Sequence, residues 1–265
     1  MPKTTVVFQT AEEFGRTRAV LDRAGAAYRA VEPPEPVAAV GVPFLVIPDA
    51  SRGALYEAVC GGVMLAGQAP YRDPAPDALA DLPPAPADAE DVVGRFAISF
   101  MGPCVATENA IRLTAQVAGD LGPVLPYLNA DLPAAAYAPG RPSLTLMDDD
   151  RLVCLYPHRI TAARCHEMLD AWRTLEAVRR LVLDVWSRRE TIEPSEARTA
   201  PPSVLEIYQQ TPRINCGACG EPTCMAFAVK LLAGKQEVTH CTPAFEGDHP
   251  HRRQGLLEIA ERLGR

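Results

Sequence analysis

Residues 4–8, Thr-Thr-Val-Val-Phe, form a short β-branched and aromatic run that reads as a strand. A helix is expected over residues 11–24, where Phe14, Ala19, Val20 and Leu21 fall loosely on one face. Thr10 supplies its N-cap, Glu13 completes a capping box, and Gly25 ends it. Residues 27–31 and 42–47 read as two more strands, so residues 1–66 are expected to form a small βαβ-type unit. Residues 67–91 lose this patterning. Proline, alanine and acidic residues dominate, as in a linker. The patterning returns in a second unit over residues 92–193. Residues 95–100 read as a strand, Met101-Gly102-Pro103-Cys104 as a tight turn, and residues 106–118 as a helix. Residues 143–147 and 152–156 read as strands joined by the hairpin signal Asp148-Asp149-Asp150, with residues 159–163 as a third strand of that sheet. One long helix is expected over residues 165–191, its stripe being Met168, Trp172, Leu175, Val178, Leu181, Val182 and Val185. Residues 194–203 read as a second linker. Ser203 caps a short helix through Tyr208, and residues 251–263 form a closing amphipathic helix. The expected class is α/β (α+β): two small αβ units followed by a small, mostly helical domain at residues 204–265.

Composition narrows the function. The chain has 265 residues, 48% hydrophobic and 22% charged, which is ordinary for a globular protein with a real core. Its formal charge of −7 without a dense basic patch argues against nucleic acid. The 26 prolines agree with two linkers and many defined turns. No run of about twenty apolar residues is present to span a membrane. The opening Met-Pro-Lys-Thr-Thr-Val-Val-Phe lacks the apolar core and cleavage site of a signal peptide. The expected compartment is the cytoplasm, where eight cysteines read as ligands plus buried thiols rather than as disulfides.

The chemistry concentrates in Cys216, Cys219, Cys224 and Cys241, spaced C-x2-C-x4-C-x16-C. Four thiolates satisfy a [4Fe–4S] cluster. Structural zinc also takes four cysteines, but usually from two short knuckles, and here Cys224 and Cys241 stand far apart. Gly217 and Gly220 let the backbone turn tightly around the early ligands and bring N–H groups toward sulfur. Pro222 stiffens the run into Cys224. From Cys224 the pattern turns helical, with Met225, Ala228, Leu231 and Leu232 at helical spacing and a stop at Gly234. Cys224 then sits near a positive helix end, which favours thiolate. Residues 235–240 bring the chain back to Cys241.

Residues 209–245 resemble the four-cysteine [4Fe–4S] domain of the corrinoid iron–sulfur protein large subunit, and the similar domain in the B subunit of Rnf-type electron-transport complexes. The matching positions are Asn215, Cys216, Gly217, Cys219, Gly220, Pro222, Cys224, Ala226, Ala228, Gly234 and Cys241. The whole chain also resembles bacterial proteins described only as Fe–S-binding. The resemblance implies that Cys216, Cys219, Cys224 and Cys241 hold the cluster, and that the cluster passes single electrons. Neither the cobalamin-binding signature of the corrinoid protein nor the membrane anchor of Rnf is found in this sequence. The expectation is therefore a carrier of single electrons to or from a larger redox enzyme, a redox protein or metalloenzyme partner, and not a stand-alone enzyme. An accessory or maturation factor for another metalloenzyme, and a structural or sensing cluster, are the alternatives.

Other residues carry weaker signals. Cys104 precedes the expected helix in a Gly-Pro-Cys turn but reads better as a small buried hydrophobe; Cys154 reads as a core residue of a strand, and Cys60 and Cys165, with helical neighbours, as structural. His240, His249 and His251 read as polar surface residues. Asp148-Asp149-Asp150 lacks the alternating oxygen ligands of a calcium loop.

Overall fold

Strand β1 (Lys3–Phe8) buries every residue from Thr4 to Phe8, the pattern of a strand covered on both faces. It lies between β3 (Phe44–Pro48) and β4 (Leu65–Pro70), antiparallel to both, and β2 (Arg29–Val31) pairs with the far side of β3. Two helices connect these strands, α1 (Ala11–Arg23) and α2 (Arg52–Cys60). The result is a split βαβ arrangement: β1 and β2 run parallel with β3 between them. The Thr10 side chain caps α1 by accepting from the Glu13 N–H, and Gly25 leaves it with φ of 60°. The Glu13 carboxylate does not close a reciprocal box. It accepts instead from the Met64 N–H at 3.1 Å, tying α1 to the start of β4.

The computed structural model describes residues 2–263 apart from 76, 87, 88, 106, 198, 199 and 201. Parts of both expected linkers, and Ala106 at the start of the helix expected over 106–118, therefore lie outside the described residues. Among the described residues, ten strands form one sheet, in the order β2-β3-β1-β4-β5-β6-β10-β9-β8-β7, and eight helices are α-helical. The sheet is completed by β5 (Phe96–Pro103), β6 (Ile111–Val117), β7 (Ala136–Ala138), β8 (Ser143–Asp148), β9 (Arg151–Tyr156) and β10 (Arg159–Cys165).

The helix expected over 106–118 is instead β6, and the turn expected at residues 101–104 is mostly the end of β5. In Ile-Arg-Leu-Thr-Ala-Gln-Val the buried residues are Ile111, Leu113, Ala115 and Val117, a period of two that suits a half-covered strand. The chain reverses later, between β5 and β6, where Asn109 adopts φ of 62° and the Cys104 N–H donates to the Ala110 carbonyl at 2.8 Å. The hairpin expected at the three aspartates is present: Asp148 pairs with Arg151, and Asp149 takes the left-handed conformation.

The long helix α4 (Met168–Ser187) organises the core. Glu167 caps it by accepting from the N–H groups of Leu169 and Asp170. Six of the seven stripe residues are buried, Leu181 being partly exposed. They share one core with Val7, Phe44 and Val46 of the first unit and with Ile98, Leu113 and Ile160 of the second. The Trp172 ring lies 5.3 Å from that of Phe44. On the opposite face of the first four strands, α1 and α2 close a smaller core of Phe8, Phe14, Leu21, Leu45, Ile47 and Leu55. Arg180 of α4 donates to the carbonyls of Pro83 and Pro36, holding the proline-rich stretch against both units. A short helix α3 (Leu125–Asp131) fills the end of the sheet beside β7.

The C-terminal segment has its own core. Helices α5 (Val204–Gln210), α6 (Cys224–Leu232), α7 (Thr242–Phe245) and α8 (Arg253–Arg262) bury Ile207, Phe227, Leu231, Leu256 and Ile259 together. Ser203 and Glu206 form a reciprocal capping box at α5. Among the described residues, no helix is long and apolar enough to cross a membrane.

The two halves of the sheet meet at β4 and β5, its one parallel pairing, where Gly67 faces Met101. A β-carbon at Gly67 would fall 1.7 Å from the Met101 carbonyl oxygen, so the strands can meet only with glycine there. Gly67→Ala is expected to destabilise the protein by at least about 1–3 kcal/mol, the usual cost of overpacking. A lower urea midpoint checks this, and an unchanged midpoint contradicts it.

Candidate metal centre

The loop before α6 is built from backbone conformations that few residues accept. Arg213 and Asn215 have φ of 60° and 49°, and Gly217 and Gly220 have 72° and 82°. The two glycines take this left-handed conformation without steric cost, and the Gly220 N–H closes the turn on the Gly217 carbonyl at 2.9 Å. Asn215 tolerates it because its side chain bonds locally: Oδ1 accepts from the Cys224 N–H at 2.9 Å. Thr223 then caps α6 by accepting from the Ala226 N–H at 3.0 Å. Cys224 is thereby fixed as the first residue of α6, where the helix end favours negative charge.

After α6 the chain turns at Gly234 and returns through a 3₁₀ turn, Val238–His240, to Cys241. Cys241 belongs to the small C-terminal core, while Cys216 is exposed and Cys219 and Cys224 are partly covered. All four thiols line one recess, with Thr211, Pro212, Ile214, Asn215, Phe227 and Pro243 around them. Burial pushes the Cys241 thiol up to about 11, and the thiols of Cys224, Cys219 and Cys216 push it the same way, against the pull of the Ala244 N–H. Among the described residues, no group of three or more His, Cys, Asp or Glu side chains gathers closely enough to hold a single metal ion.

Residues that the sequence did not single out support this loop. Glu221 lines the recess, is 7% exposed, and accepts from Lys230 Nζ at 2.7 Å. Gln236 Nε2 donates to the Cys219 carbonyl at 3.0 Å, and its Oε1 meets His240 Nδ1. Nothing in the spacing of Glu221, Lys230 and Gln236 announces these contacts; those of Gln236 exist only once the chain turns back toward Cys241.

The remaining cysteines lie elsewhere. Cys165 is fully buried at the end of β10, and burial raises its thiol to about 12. Cys154 lies in β9 beside the Thr145 hydroxyl at 3.2 Å. Cys104 follows β5 and is partly buried, and Cys60 is exposed at the end of α2. Asp148 and Asp149 are engaged by Arg151 and Arg173, and Arg151 also pairs with Asp170 at 2.6 Å, which pins the hairpin to α4. His249 and His251 contact each other edge to face.

Comparison with known proteins agrees with this site. Residues 212–243 match the family described as "Putative Fe-S cluster". The corrinoid/iron-sulfur protein large subunit of Moorella thermoacetica is 54% identical over 41 residues, 16% of this chain and 9% of that protein. The acetyl-CoA decarbonylase/synthase complex subunit gamma 1 of Methanosarcina thermophila matches to the same extent. The gamma subunit of Methanothermobacter thermautotrophicus is 36% identical over 58 residues, 22% of this chain and 12% of that protein. The chain thus spans about a tenth of the length of the curated relatives it matches. No solved structure matches. Residues 212–243 are thus similar to iron–sulfur modules, and a [4Fe–4S] cluster fits the all-thiol donor set there.

The unequal cover of the thiols has a measurable consequence. In metal-free protein at neutral pH, an alkylating reagent should label exposed Cys216 well before Cys241, as peptide mass spectrometry would show. The raised Cys241 pKa stabilises the fold fully below the ordinary thiol value of 9.0 and ceases to do so as pH rises through about 11, because the unfolded thiol ionises first. Denaturation of the metal-free protein at stepped pH should show stability falling across that window in wild type, and less so in Cys241→Ala.

Proposed function

We propose that Cys216, Cys219, Cys224 and Cys241 ligate a [4Fe–4S] cluster, and that the protein carries single electrons to or from a larger redox enzyme. The observation that carries this reading is the convergence of four thiols on one recess inside the matched segment. A zinc ion, at about 2.3 Å from each sulfur, needs the thiols drawn onto one point. A cubane holds its thiolates at four separate corners, which suits thiols spread around a recess. The cluster, when bound, supplies one-electron oxidation and reduction.

The chain's own residues determine how that electron is reached. Ile214, Asn215, Cys216, Gly217 and Ala218 are exposed, so the loop of the first ligand faces solvent and a docking partner. Cys241, Phe227 and Ala244 close the opposite side within the small core and keep water out. The sheet and α4 form a separate, larger body on which a partner can register. Relatives named as subunits of the acetyl-CoA decarbonylase/synthase complex support a protein partner for this chain as well. Eight cysteines without a disulfide suit a reducing cytoplasm.

Anaerobically reconstituted protein is expected to bind about four iron and four sulfide per chain and to show one reversible one-electron step. Cys→Ser at 216, 219, 224 or 241 should lower iron content sharply, whereas Cys104→Ser should leave it intact. Stoichiometric zinc, or a cluster with no reversible one-electron step, contradicts the carrier reading.

A further inference from the structure

We propose that Glu221, Gln236 and Lys230 form a clamp that positions the ligand loops and sets the reduction potential of the centre. The inference rests on the cluster reading above and deepens it. Gln236 is the mechanical part. Its Nε2 donates to the Cys219 carbonyl at 3.0 Å and lies 3.4 Å from Glu221 Oε1, while its Oε1 accepts from His240 Nδ1. One side chain therefore joins the loop of the early cysteines to the turn that delivers Cys241. The amide has little freedom left: both its ends are used, and it is partly buried.

Glu221 is the electrostatic part. Glu221 lines the same recess as the four cysteines, two residues after Cys219, and is almost wholly buried, its carboxylate held by Lys230 and Gln236. Lys230, from the last turn of α6, pairs with it at 2.7 Å but is itself half exposed. A negative charge beside a cluster disfavours an added electron, and a positive charge favours it. Glu221 therefore lowers the potential, and Lys230 offsets part of that lowering. The couple is a plain one-electron transfer from an electrode to the bound cluster, with no bond made or broken in the protein.

The test uses the full-length reconstituted chain. Midpoint potentials and iron content are measured for wild type, Glu221→Gln, Lys230→Met and Lys230→Arg. Glu221→Gln keeps a hydrogen-bond acceptor for Gln236 and is expected to shift the potential upward. Lys230→Met should shift it downward, and Lys230→Arg should restore it. Gln236→Leu, which keeps the bulk and loses the bonds, should accelerate alkylation of Cys241 in the metal-free protein several-fold while leaving Cys216 unchanged. With iron retained, unchanged potentials or shifts of the same sign for Glu221→Gln and Lys230→Met overturn the electrostatic role and leave the cluster reading standing. An unchanged Cys241 rate in Gln236→Leu overturns the mechanical role. A wild-type chain that takes up no iron overturns both the clamp and the cluster reading.

Discussion

Four thiols that repel one another once ionised must be held around a single recess, and the C-terminal segment of the fold is arranged to meet that demand. Each thiol raises the cost of ionising Cys241, so gathering them is unfavourable until something positive sits among them. The chain enforces the gathering with backbone rather than with bulk. Left-handed residues at Arg213, Asn215, Gly217 and Gly220 wind the first loop, and Asn215 and Thr223 consume N–H groups that would otherwise be left open where α6 begins. A small apolar core beneath, centred on Phe227, Leu231 and Leu256, pays for the turn back to Cys241.

The larger body stands apart from this chemistry. Its ten strands are held as one sheet by α4, whose apolar stripe spans the first and second units, and by Arg180, which grips two proline carbonyls from distant segments. A core of this size exceeds what a small cluster module needs for its own stability.

The cysteines that line the recess were legible in the sequence because most of their spacing is local. Cys216, Cys219 and Cys224 lie within nine residues, and Asn215, Gly217 and Gly220 announce the turns between them. Most elements were legible for the same reason: the Thr10 and Ser203 caps, the stripe of α4 and the aspartate hairpin are all short-range signals. β6 was misread because Ile-Arg-Leu-Thr-Ala-Gln-Val lacks the β-branched density of a clear strand, and its alternation gains force only once β5 and β10 flank it. β4 and the joining of the two sheet halves were not visible, since they depend on Gly67 approaching the backbone of Met101, far along the chain. The contacts of Gln236 were hidden likewise, being products of the return path and not of any motif.

The most direct measurement of the central claim is an iron-edge anomalous difference map from crystals of the anaerobically prepared protein. The account predicts a single multi-iron peak in the recess, bonded to the sulfurs of Cys216, Cys219, Cys224 and Cys241. Iron bound elsewhere, or one of those four sulfurs turned away from the peak, would contradict it.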